Sequence, residues 1–279
     1  MNRLSIAVAV ACLVLTAAAC SSDDEPAGVP SSGGADDLAA ASGPFAEAVA
    51  ELRDLPEVDP TSVDPPVPPA DVDPTVFLAN SQWALDLAVD AHDERWWDSP
   101  PNGDVLPQHL AAGVPPAMQN YIAGFEQFDS DLPYTQEFVD HFAADTQPTG
   151  PMRIVSARWA AEPTEFATMA RLETVAVVDL GGADAARPVV IVRSAAIGTT
   201  ELFGGLGSYS WGFTTDVYGH DPCVLARDGV ITPAEDPDGD VTLVTALIER
   251  LTSTEELEPR EVDNRPLEES VAEACGSSS

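Results

Sequence analysis

The sequence predicts an α+β fold, with N-terminal helices packed on a four- to five-stranded, mainly antiparallel sheet and a helical C-terminal tail. Three features carry this. Apolar residues before the breaker run Thr146 to Pro151 recur at helical spacing, after it their period falls to two, and from Asp240 the helical spacing returns. The stretches between the expected strands are too short for repeated crossover helices, so the sheet is expected to be antiparallel.

In chain order, Phe45, Val49 and Leu52 mark one face of a short helix ending near Leu55. Val58-Asp59-Pro60, Val63-Asp64-Pro65 and Val72-Asp73-Pro74 then recur around Pro65-Pro66-Val67-Pro68-Pro69, which reads as a stiff polyproline spacer. Ser21 to Pro44 are rich in Ser, Gly, Asp, Ala and Pro, and carry too little apolar surface to offset the cost of ordering. Residues 20–73 are therefore expected to be a tether, and 74–279 a single α+β domain.

Asp73 and Pro74 supply a cap and first turn for a helix running to about Glu94. Its acidic stripe is Gln82, Asp86, Asp90 and Asp93, while Phe77, Trp83, Ala84, Leu87, Ala88 and Ala91 fill the other side. A second helix is expected from Pro115-Pro116, with Met118, Tyr121, Ile122 and Phe125 on one face, and a third from Thr135, pairing Phe138 with Phe142. Strands follow: Val155, Ala157 and Trp159 alternate with polar residues, Thr168 to Asp179 and Val189 to Val192 are rich in β-branched residues, and Tyr209, Trp211 and Phe213 alternate again. Asp228-Gly229 reads as a tight hairpin joining Val224–Ala226 to Val230–Thr232. Asp240 caps a closing helix through Val244, Leu247, Ile248 and Leu251, and a last helix from Pro266 aligns Leu267, Val271 and Cys275.

The chain carries 47 acidic and 12 basic residues, for a net charge of −35, and every basic residue is Arg. Without Lys, Schiff-base chemistry and Lys-dependent phosphate loops are excluded. The acidity sets aside nucleic acid, whose phosphates demand a basic footprint, and polybasic docking on anionic lipid. Residues 151–200 differ: five Arg there face five acids, and the excess negative charge lies on either side.

Met1 to Arg3 begin with a positive charge, Leu4 to Ala19 are mostly apolar, and small residues precede Cys20, which is the pattern of a signal peptide over 1–19. Leu15-Thr16-Ala17-Ala18-Ala19-Cys20 resembles the bacterial lipobox, with Ala17 where the favoured Leu stands. That resemblance implies cleavage before Cys20 and diacylation of its thiol, placing the protein on the extracytoplasmic face of the cell membrane; simple cleavage after Ala19 would give a secreted protein instead. Cys12 leaves with the signal, so Cys223 and Cys275 remain to form a disulfide.

Three clusters are candidate sites, one of them His220-Asp221 beside Cys223, which reads better as a turn after a strand because a Cys-His nucleophile pair would need Cys223 reduced. Asp90, His92, Asp93 and Glu94 place carboxylates beside an imidazole, as general acid-base work requires. Asp236, Asp238 and Asp240 have the alternating spacing of calcium ligands, but Val241 stands where the turn Gly belongs and Leu247 where the bidentate Glu belongs. No nucleophile elbow, Rossmann glycines, phosphate loop or zinc helix appears. The expected function is a non-enzymatic, lipid-anchored envelope protein binding a partner protein or small ligand, with no cofactor. The alternative is an anchored hydrolase using His92 and its carboxylates.

Overall fold

The computed structural model describes residues 43–97, 139–164, 167–181, 186–202, 206–253, 257 and 273–276, with the backbone alone over 200–202 and 206–211. Its centre is an antiparallel sheet of β1 (Arg153–Pro163), β2 (Thr168–Leu180), β3 (Arg187–Leu202) and β4 (Leu206–Tyr218), in the order β1-β2-β3-β4. The α+β class and the antiparallel pairing are as expected. Residues Ala170 to Val178 of β2 are buried without a break. That continuous run, in place of an alternation, is what a strand covered on both faces requires.

One face is covered by α2 (Pro74–Ala91). Trp83, Ala84 and Leu87 pack there on Ala195 and Ile197, and Ala88 packs on Ala157 and Leu172. The helix begins as its sequence dictates: Pro74 occupies the first turn, and the Asp73 carboxylate accepts from Thr75 N at 2.8 Å and Val76 N at 3.3 Å. The other face is covered by α1 (Pro44–Asp54) and by a helix over Val241–Thr252, called α4 below. Phe45, Val49, Leu52, Val244 and Leu247 meet Val155, Val175, Val177, Val190 and Val192 in one cluster. A bulge between Ile154 and Ser156 lets β1 serve both sides: Val155 joins the α1 face and Ala157 the α2 face.

Three expectations are corrected. The folded part starts near residue 44, where residue 74 was expected, because α1 lies in the core and the proline-rich segment is bonded to β1. Val58 N donates to Ile154 O at 2.8 Å, Trp159 Nε1 to Val63 O at 3.2 Å, and an Arg153 guanidinium nitrogen to Leu55 O at 2.7 Å. Proline spacing shows stiffness, but a stiff segment can still lie along a sheet edge that needs covering.

The expected hairpin at Asp228-Gly229 is a helix ending there, α3 (Pro222–Asp228). Asp221 caps it by accepting from Cys223 N and Val224 N, Pro222 opens it, and Gly229 closes it in the left-handed region at φ 67°. Among the described residues no fifth strand joins the sheet.

The third correction concerns the helix expected from Thr135, which does not extend over 139–142. That segment is irregular, with a bend at Val139, and Phe142 bridges Ile231 in parallel. The second expected helix and most of the last one lie outside the described residues, and of the C-terminal tail only Glu273 and Ala274 are seen as helical. Cys275 is paired with Cys223, their Cα atoms 4.5 Å apart. Among the described residues no helix is long and apolar enough to cross a membrane.

Candidate functional site

Register builds the most charged place in the interior. Thr174 of β2 lies opposite Arg193 of β3, and Arg193 opposite Thr215 of β4. This cross-strand row faces α2, and its two short hydroxyl side chains leave room beside the long Arg193. His92, the residue closing α2, comes down onto the row, and Asp140 is brought beside it by a bond from Asp140 N to Ala91 O at 2.9 Å.

Asp140 then joins everything. Its Oδ1 accepts from Arg193 Nε at 2.7 Å and from a terminal guanidinium nitrogen at 2.7 Å, and its Oδ2 lies 2.6 Å from His92 Nδ1. The carboxylate only accepts, so Nδ1 carries the hydrogen there. His92 Nε2 meets the Thr174 hydroxyl at 3.0 Å, and Arg193 reaches on to Thr215 Oγ1 at 2.9 Å. Burial works against the charge on Asp140. The charges and hydrogen bonds of Arg193 and His92 outweigh it and hold the carboxyl below its ordinary range.

Asp140, His92 and Thr174 thus form an acid–imidazole–hydroxyl chain, the arrangement that activates a nucleophile in triad hydrolases. Access separates the two cases. Thr174 and Asp140 are 0% exposed and His92 8%, and a void lined by Ala88, Ala91, Arg193 and Phe213 holds about 10 Å³, roughly room for one water. Among the described residues no opening leads a substrate carbonyl to Thr174 Oγ1. The geometry suits a structural lock between α2, the 139–142 segment and three strands.

The carboxylates expected beside His92 do not converge on it. Asp90 is ion-paired with Arg95 and accepts from Trp96 Nε1 at 3.2 Å, while Arg95 stacks over Trp96 at 4.6 Å. Asp93 caps the short 3₁₀ turn Glu94–Trp96 by accepting from Arg95 N at 3.0 Å, and Glu94 is exposed. The three Asp residues with calcium-like spacing also diverge, each serving a different backbone donor: Asp236 accepts from Asp238 N, Asp238 from Phe45 N at 3.4 Å, and Asp240 from Gly219 N at 2.7 Å. Among the described residues no three His, Cys, Asp or Glu side chains are placed to hold a metal ion.

A solvent-open cleft of about 410 Å³ lies elsewhere, where the end of β4 meets α3 and the start of α4. Asp216, Tyr218, His220 and Asp240 give it polarity, and Leu225 and Leu243 give it apolar walls. Burial pushes the Tyr218 hydroxyl up, with Asp240 and Glu173 adding to the shift and Arg250 opposing it. Burial also pushes the His220 imidazole down, against Asp240, a backbone hydrogen bond with Val217, and Asp221.

This chain matches no known protein family, no curated protein and no solved structure.

Reasoning from sequence missed Asp140, Thr174, Arg193 and Thr215. One signal was present: Arg193 follows Val189-Val190-Ile191-Val192 directly, and a charge inside a run buried on both faces demands a partner. Asp140, 53 residues away, carries no local mark of being that partner. Of the aromatic row, Phe213 packs beside Trp83 and Ile197; the side chains of Tyr209 and Trp211 lie outside what is described.

Proposed function

We propose that the protein is a lipid-anchored envelope protein, held through Cys20 on the extracytoplasmic face, whose folded part is a non-enzymatic binding domain working through the β4 cleft. The observation that carries the non-enzymatic half is the engagement of His92. Both ring nitrogens are used, by Asp140 and Thr174, and the ring is buried. A general base for an outside substrate needs hydrogen-bond reach to that substrate, and this imidazole has none to offer.

The anchored half rests on the sequence Leu15 to Cys20 and on cysteine pairing. Cys223 and Cys275 take each other, which leaves Cys20 as the thiol without a partner once a signal over 1–19, Cys12 included, is removed. The binding half is supported by the cleft, which has the size of small-ligand sites and mixes apolar walls with a few polar groups.

Two measurements test the reading. The N-terminal peptide of the mature protein is expected to begin at Cys20 with its thiol diacylated; an unmodified Cys20 removes the anchor. Purified protein is expected to show no turnover of an ester and amide panel and no labelling by a fluorophosphonate. Labelling at Thr174 that disappears in His92→Ala would establish the hydrolase reading in place of the binding one.

A further inference from the structure

The β4 cleft has a chemistry more specific than its shape. We propose that it binds a small organic monocation, an alkylammonium or quaternary ammonium with an apolar body, seated between Asp240 and Tyr218. This rests on the reading of the folded part as a binding domain.

The charge around the cleft favours a cation. Asp240 lines it, among the described lining residues there is no Arg, and the nearby Arg250 is already paired with Glu173 at 2.6 Å. Asp240 is held in place: its Oδ2 accepts from Gly219 N at 2.7 Å, and this bond fixes the carboxylate before a ligand arrives, which cuts the ordering cost of binding. His220 does not offset Asp240 with a charge of its own at neutral pH, because burial disfavours its protonated form.

The walls decide what kind of cation. Leu243 is 52% exposed on the first turn of α4, and together with Leu225 it lines the opening. A calcium or magnesium ion wants several converging oxygen ligands, and among the described residues the acidic and imidazole groups do not converge in that way. A weakly hydrated organic cation needs less: one carboxylate, an aromatic ring to face, and apolar surface for its body. Tyr218, Asp240 and the two Leu side chains supply that set.

The test uses the mature full-length chain, disulfide intact, in a nonionic maltoside detergent. Choline, n-butylammonium, the neutral choline isostere 3,3-dimethylbutan-1-ol and calcium chloride are titrated at constant ionic strength, and the resonances of Tyr218, His220 and Leu243 are followed. Both organic cations are expected to give saturable shifts, with the neutral isostere roughly tenfold weaker, the weight of one partly solvated charge. Asp240→Asn keeps an oxygen for Gly219 N and is expected to weaken choline by about tenfold while leaving the isostere unchanged. Leu243→Ser, at an exposed position, should weaken all three organic probes together.

Equal binding of choline and its isostere would overturn the inference and leave the binding-domain reading standing. Calcium chloride reproducing the same saturable shifts would overturn it in favour of a mineral-cation site. Unmoved cleft resonances with either organic cation would also overturn it. The binding-domain reading itself falls on a different result, labelling at Thr174.

Discussion

Asp140 and Arg193, 53 residues apart in sequence, meet through two contacts of 2.7 Å in an interior that leaves Asp140 no exposure and Arg193 5%. Such a pair gains little over well-packed apolar residues, because two charges were taken out of water to make it. Removing one partner is another matter. Asp140→Ala removes the carboxylate facing the buried Arg193 guanidinium and the acceptor of the His92 N–H, and is expected to cost about 3–5 kcal/mol in urea unfolding. The double variant Asp140→Leu with Arg193→Met removes both charges, and should recover at least about half of that loss by non-additivity. A loss in the double variant equal to the sum of the losses in the Asp140→Leu and Arg193→Met single variants would show that the residues are not coupled as the distances state.

The same carboxylate sets an acid dependence. Burial opposes its ionisation, Arg193 and His92 outweigh burial, and its folded value lies below the ordinary 3.8. The unfolded chain then binds the proton more readily than the folded one, so this group's stabilisation is complete above the ordinary value and is lost as pH falls from there through the folded value. Wild-type protein taken from about pH 5 to about pH 3 should lose more unfolding free energy than Asp140→Asn, which lacks this linked proton. Equal losses in the two proteins would assign the acid sensitivity to other carboxylates.

How far the sequence could be read depended on whether the decisive interaction was local. The Asp73–Pro74 start of α2 was legible because capping acts over three residues, and the four strands were legible because β-branched runs and period two are properties of the strand itself. Residues 151–200, where charges balance, are most of the sheet. The α3 segment was misread although its signals were local, because Asp221-Pro222 and Asp228-Gly229 are boundary residues that serve a hairpin or a helix equally well. The proline-rich segment was misread for the opposite reason: its bonds run from Leu55, Val58 and Val63 to β1, nearly a hundred residues on. The site followed the same rule. His92 was picked out, but the carboxylates beside it in sequence turn away, and its actual partner comes from another segment.

Gly219 tests the packing of α1 that the sequence had placed outside the fold. Its φ is +78°, and a Cβ there would lie 2.5 Å from Phe45 Cζ and 3.0 Å from Pro188 O. The left-handed backbone alone costs a side chain about 1–2 kcal/mol, and displacing the fully buried Phe45 adds to that. Gly219→Ala is therefore expected to lower the urea midpoint well beyond Gly150→Ala, where a Cβ meets nothing within 4 Å. Matching midpoints for the two variants would mean that Phe45 is not seated against Gly219, and that α1 is dispensable to the core.

The Cys223–Cys275 pair acts on the unfolded chain more than on the folded one. It closes a sequence separation of 52, which the chain-entropy model values at about 4 kcal/mol. Cys275 is exposed, so a reductant can reach the bond without prior unfolding, and the reduced wild type and the Cys223→Ser, Cys275→Ser double variant should share one lowered urea midpoint. The double variant should then be indifferent to reductant. Because α3 carries both Cys223 and the cleft residue Leu225, the resonance of Leu225 should shift on reduction even where the chain stays folded. A midpoint unmoved by reductant would mean that the bond closes nothing the fold has not already closed, and would leave the C-terminal tail without a role in holding the cleft.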